Sequence, residues 1–179
     1  MLHYLVITIT ESNTQLYHDQ VLNELLSTID KFDCNIIKAH HKHYGSLAHI
    51  TWLLEGSWNT IAKVESWVNK LSLKYQIRLE AERTEQVINL PQALPHMVQI
   101  MGIDKPGIMT EVYDFFTTED LIILDLEMTN HIAPQNGTKI FTINILTLVP
   151  DGISLSELRE RFILLCDELN VDGLMEAVK

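Results

Sequence analysis

A chain of 179 residues with 46% apolar side chains suits one medium domain or two small ones and is too apolar to be disordered. Its longest apolar runs are strand-sized, which excludes a membrane-spanning helix, and it opens directly into a strand pattern rather than a leader, so a cytoplasmic protein is expected. A net charge of −11 with no block of Lys or Arg sets the surface against nucleic acid.

The acidity is uneven. Up to residue 89 there are 8 basic and 10 acidic residues, and beyond it 5 and 14. The two cysteines, Cys34 and Cys166, stand far apart with no metal-binding spacing, and read as buried free thiols.

In chain order, His3 to Thr10 alternates like a half-buried strand, with Leu5, Ile7 and Ile9 on one face. Gln15 to Lys31 carries Val21, Leu22, Leu25, Leu26 and Ile29 at helical spacing. Cys34 to His43 and Leu47 to Leu54 read as strands joined by a turn at Tyr44-Gly45-Ser46. Ser57 is a natural cap for a helix with Ile61, Val64, Val68 and Leu71 on one stripe. Lys74 to Arg83 alternates as a fourth strand, and residues 85–93 read as a linker.

The order then repeats. Met97 to Ile103 reads as a strand, and Gly107 to Glu119 as a helix with Val112, Phe115 and Phe116 inward. Leu121 to Thr129 reads as a strand with Ile122, Leu124, Leu126 and Met128 buried and Asp125, Glu127 and Thr129 opposite. Lys139 to Leu148 is a further strand. Ser154 and Glu157 have capping-box spacing, with Ile153 and Leu158 as a staple, before a helix bearing Leu155, Leu158, Phe162, Leu165 and Leu169. Val171 to Val178 closes the pattern, interrupted by Gly173.

The expected fold is therefore α+β: two tandem ferredoxin-like βαββαβ domains, 1–84 and 94–179, each an antiparallel four-stranded sheet with both helices on one face. Pattern similarity sets the repeat at about 92 residues, Leu5-Val6-Ile7 over Met97-Val98-Gln99 and Ile50 to Leu54 over Thr142 to Leu146. Each sheet keeps one uncovered face.

The segment that stands out is Gly102-Ile103-Asp104-Lys105-Pro106-Gly107-Ile108, between a strand and a helix. Pro106 suits a first helical turn, Gly107 permits close approach to the backbone, and the free N–H groups of a helix start suit a carboxylate. The first half reads Glu11-Ser12-Asn13-Thr14-Gln15-Leu16 at the corresponding place, with neither proline nor glycine. The candidate ligand residues are Asp104, Lys105, Pro106, Gly107 and Ile108. An amino acid would set its carboxylate on the N–H groups of Gly107 and Ile108 and its ammonium on Asp104, Asp125 or Glu127.

A βαββαβ unit with Asp-x-Pro-Gly after its first strand resembles the ACT domain. The whole chain resembles the glycine cleavage system transcriptional repressor family, through His3-Tyr4-Leu5-Val6-Ile7-Thr8, Cys34-Asn35-Ile36, Gly56-Ser57-Trp58-Asn59 and Cys166-Asp167-Glu168-Leu169-Asn170. The resemblance implies a non-catalytic regulator without a cofactor that senses an amino acid, glycine first. Such a regulator contacts a LysR-type activator protein, binds no DNA itself, and leaves homo-oligomers open.

Other functions of this topology fit less well. An acylphosphatase needs an arginine in its first loop, and Arg78, Arg83, Arg159 and Arg161 all lie elsewhere. An RNA-recognition sheet needs basic and aromatic central strands, where this chain has His49, Thr51, Thr142 and Asn144. His40, His41, His43 and His49 lack partners at metal-ligand spacing and read as a solvated strand. Trp52, Trp58 and Trp67 read as core or staple residues. A stand-alone amino-acid sensor acting on another protein or enzyme remains the nearest alternative.

Overall fold

The alternation at the start of the chain places Leu5, Ile7 and Ile9 on one face of a strand, and in the computed structural model all three are buried. The structure describes residues 2–12, 15–85 and 93–178, and only the backbone of residues 12 and 15–19. The expected linker falls largely outside the described residues, as do Asn13 and Thr14 of the first-half turn. The contacts divide the chain into two units, Met1–Ile88 and Asn89–Lys179.

Unit 1 runs β1 (His3–Ser12), α1 (Gln15–Lys31), β2 (Asn35–Tyr44), β3 (Leu47–Gly56), α2 (Trp58–Tyr75) and β4 (Arg78–Thr84). Unit 2 runs β5 (Ala93–Ile103), α3 (Ile108–Thr118), β6 (Ile122–Ile132), β7 (Lys139–Pro150), α4 (Leu155–Leu169) and β8 (Asp172–Ala177). Each sheet is antiparallel, in the orders β2-β3-β1-β4 and β6-β7-β5-β8. Both units are thus βαββαβ, the expected ferredoxin-like layout written twice.

In unit 1 the apolar stripes Val21, Leu25 and Ile29 of α1 and Ile61, Val64, Val68 and Leu71 of α2 pack on Leu5, Ile7, Ile9, Ile50 and Leu54. Burying each such side chain contributes about 1.5–3 kcal/mol before chain entropy is charged against it. Ser57 caps α2 as its sequence suggests, its hydroxyl accepting from the Thr60 N–H at 3.1 Å. In unit 2 the same layer is built from Ile108, Val112 and Phe116 of α3, Leu158, Phe162 and Cys166 of α4, and Val98, Ile100, Phe141, Ile143 and Ile145 of the sheet.

Several expectations need correction. Lys74 and Tyr75 belong to α2, not to a strand, and Gln76 ends the helix in the left-handed region at φ 53°. At this end of the helix Lys74 and Tyr75 both donate to Glu24 of α1 at 2.7 Å, tying the two helices together and holding the Glu24 carboxyl below its usual range. In β6 a bulge falls between Ile123 and Asp125, so Ile123 rather than Ile122 or Leu124 packs on the core. The Ser154 hydroxyl makes no capping bond; it lies 3.1 Å from the Ser156 hydroxyl, while Glu157 points to Arg161 at 3.9 Å. Trp58 is exposed beneath the Arg83 guanidinium, 5.6 Å from its ring, whereas Trp52 is buried in the core and Trp67 packs partly buried against it.

The repeat distance is corrected too. β2 has a bulge between Ile36 and Lys38 opposite Leu54 and Leu53, and β6 has its bulge opposite Thr147 and Leu146. Matching the bulges puts Leu53 over Leu146, an offset of 93, and matching the ladders then puts Leu5 over His96, an offset of 91. An even offset of 92 would exchange the two faces of β1 against β5 and of β3 against β7.

That register exposes an asymmetry. His96 takes the core position that Leu5 holds in unit 1 and is fully buried. Its Nδ1 lies 3.0 Å from the Leu94 carbonyl, and its Nε2 meets no hydrogen-bond partner among the described residues. A buried unpaired polar atom costs about 1–3 kcal/mol. We therefore expect His96→Leu to raise the stability of unit 2 by about 1 kcal/mol, measured as the shift in urea unfolding midpoint at unchanged slope.

Candidate ligand site

β5 delivers the segment Asp104–Ile108 to one end of its sheet. Its last pairing with β7 sets Ile103 against Ile140, and the Asp104 N–H then donates to the Lys139 carbonyl at 2.9 Å. The Asp104 carboxylate accepts from the Asn130 side-chain amide of β6 at 2.9 Å, so it is held from two strands away. Pro106 is exposed in the turn, one position ahead of the helix cap rather than inside the first helical turn.

Gly107 is the cap of α3. It adopts φ 95°, ψ −15° and contributes no side-chain capping bond. A side chain in that region is strained, yet a Cβ there would meet no atom within 4 Å, so the ground in front of the helix is open. The N–H groups of the first turn have no intrahelical acceptor, and the helix dipole adds partial positive charge where they point. Buried Ile108 fixes that turn onto the core. Free N–H groups at a helix start suit a small carboxylate, and Asp104 is the carboxylate three residues ahead of the cap.

Lys105 does something the sequence did not suggest. Its Nζ donates to the Leu169 carbonyl at 2.8 Å, tethering the turn to the last turn of α4 and meeting the negative end of that helix. Next to it a polar cleft of about 400 Å³ is lined by Gly102, Ile103, Asp167, Asn170, Val171 and Asp172, among others. Gly102 is required there, because a Cβ would fall 2.7 Å from Val171 Cγ1.

Asp125 and Glu127 are not gathered at the turn. Both lie exposed on β6, opposite Leu146 and Asn144. At ~3.3 Å per residue they stand roughly 17 and 10 Å along the strand from Asn130. The candidate set therefore splits: Asp104 to Ile108 form one corner, joined by Asn130 and the Leu169 carbonyl, and the other two carboxylates belong to the open sheet face. Asn130 carried a legible signal, a polar residue in phase with Leu126 and Met128 at the end of an apolar alternation.

The remaining reactive groups are quiet. Cys34 donates to the Glu55 carbonyl at 3.3 Å, and burial pushes its thiol up. Burial pushes the Cys166 thiol up to about 11, so both sulfurs stay protonated at neutral pH. Among the described residues no group of three or more His, Cys, Asp or Glu is placed to hold a metal ion. His41 and His43 stack at 5.1 Å, and His49 sits opposite Lys42. Arg83 pairs with Glu65, Arg161 with Glu119 and Arg78 with Glu80. No helix among the described residues is long and apolar enough to cross a membrane.

Two βαββαβ units, one carrying Asp-x-Pro-Gly at the end of its first strand, make a tandem ferredoxin-like protein. Along nearly its whole length the chain is similar to proteins named glycine cleavage system transcriptional repressor. Curated proteins of that name from Escherichia coli (strain K12) and Shigella flexneri are each 24% identical to it over 176 residues, covering 98% of this chain and 90% of theirs. No family model matches the chain. A crystal structure provisionally described as a glycine cleavage system transcriptional repressor superposes with a TM-score of 0.67 at 24% identity, covering 100% of this chain and 99% of that one. An unknown protein from Galdieria sulphuraria superposes with a TM-score of 0.75 at 16% identity over the full length of both chains. These two structural likenesses speak for the fold.

Proposed function

We propose that the protein is a non-catalytic cytoplasmic regulator that binds a small amino acid, glycine first, at the Asp104–Ile108 corner. It then alters a LysR-type transcription activator by direct contact, without binding DNA. The observation that carries the reading is the uncapped start of α3: a left-handed Gly107 with open space before it, beside an Asp104 carboxylate fixed by Asn130. A zwitterion needs both signs of charge within a few ångströms, and this corner offers N–H groups and a carboxylate together. The names of the full-length relatives support a regulatory role, and the unequal acidity of unit 2 disfavours direct contact with nucleic acid.

Calorimetry with a panel of amino acids tests the reading. Heat is expected for glycine or another small amino acid, and a flat trace across the panel would remove the sensor. The pure protein should give no specific shift of the regulated DNA at physiological salt. A pull-down of the activator should change with added glycine.

A further inference from the structure

The open face of the unit 2 sheet is unlike that of unit 1. Cross-strand register sorts its residues into rows: Asp125–Leu146–Met97–Glu176, then Glu127–Asn144–Gln99–Leu174, then Thr129–Thr142–Met101–Asp172. The middle holds apolar side chains and the Gln99–Asn144 amide pair, bonded at 2.9 Å. Met97, Met101 and Leu174 are 45%, 40% and 51% exposed, unusual for large apolar groups grouped on one surface. Carboxylates border the strip on both outer strands, Asp125 on β6 and Asp172 and Glu176 on β8, all exposed. No Lys or Arg lies in these rows. The corresponding rows of unit 1 carry Lys38, His40 and Lys42 on β2 and Glu82, Glu80 and Arg78 on β4, a mixed surface.

We infer that this face is the docking surface for an amphipathic helix of a partner protein, with an apolar stripe bordered on both sides by Lys or Arg. The dimensions agree. Four strands at ~4.8 Å spacing set the bordering carboxylates roughly 14 Å apart, close to the 10–12 Å width of a helix with its side chains. The apolar stripe would cover Met97, Met101 and Leu174, and the flanking cations would meet Asp125 on one side and Asp172 and Glu176 on the other. Exposed carboxylates of this kind set orientation and association rate, while the apolar strip supplies most of the affinity. The inference rests on the reading of the protein as a regulator that acts by protein contact, and it names the contact.

The test uses the full chain and a fluorescent synthetic helix of Leu and Lys, with its leucines on one stripe and lysines along both borders. A mirror peptide has Glu for each Lys. Anisotropy at physiological salt should show binding of the Lys peptide and none of the Glu peptide. The double variant Asp125→Lys, Glu176→Lys should weaken binding about tenfold or more. A control with the same charge change on the helices, Asp114→Lys with Glu160→Lys, should stay within about twofold of the parent. Equal weakening in both variants would reduce the effect to general acidity and overturn the site, as would no weakening in either. Sedimentation closes the remaining route: a parent dimer that Met101→Lys converts to monomer would give the face to a second copy and overturn the partner helix. Glycine calorimetry is read separately, so a silent amino-acid titration with intact peptide discrimination removes the sensor and leaves the surface, and the reverse result does the opposite.

Discussion

Replacing Gly107 with Val should lower amino-acid affinity about tenfold or more, because one or more charge-assisted hydrogen bonds worth about 1.5–3 kcal/mol each would be lost. Two effects combine. Gly107 sits at φ 95°, where a β-branched residue costs about 1–2 kcal/mol or forces the turn to move. The branched side chain would also project into the open ground before α3, where the carboxylate is placed. Gly107→Asn separates the two, since Asn tolerates left-handed backbone and should keep the melting temperature near that of the parent. If Asn loses affinity as Val does, occlusion dominates; if Asn binds like the parent, strain does. Unchanged affinity in the Val variant would move the ligand elsewhere.

Gly173→Ala should destabilise unit 2 by about 1–3 kcal/mol, the range for forcing extra carbon into a filled core. The added Cβ would stand 2.3 Å from Cys166 Sγ and 2.9 Å from two ring carbons of Phe162. Both neighbours belong to the buried face of α4, so neither can leave for solvent. In unit 1 the matching position is Leu79, a side chain that fills its own space. Unit 2 uses the opposite solution: a missing side chain on the strand lets a ring from the helix press against it. Cys166→Ala removes the closest atom and should restore much of the loss when combined with Gly173→Ala, read by a double-mutant cycle of urea unfolding. Additive losses would mean that the strand itself, not the Cys166 contact, sets the cost.

The architecture was legible because both periods were strong. Leu5, Ile7 and Ile9 at period two, and Ile61, Val64, Val68 and Leu71 at the helical period, all reach the core. What escaped were features decided by tertiary contact. Lys74 and Tyr75 alternate acceptably with the strand that follows; what marks them as the helix end is the left-handed Gln76 cap on Ser72 and their bonds to Glu24, far away in sequence. The bulges at Ile37 and Leu124 leave no mark in composition, and each shifts the phase of its strand. The pattern's single repeat of 92 falls between the 91 of the first strands and the 93 of the third, which only the ladders separate. The corner at Asp104 was readable from Pro106 and Gly107. Its supports were not, because Asn130 and the Leu169 carbonyl arrive from elements whose register had to be known first. Asp125 and Glu127 were assigned to the corner by proximity in the strand order, and the distance along β6 separates them from it.

The bond from Lys105 to Leu169 has a mechanical corollary. One exposed ammonium spans from the Asp104–Gly107 corner to the Leu169 carbonyl at the end of α4, so a shift of either place is felt at that bond. Any occupant that draws the lysine forward strips the helix end of its counter-charge just where the chain turns into Asp172 and the outer strand.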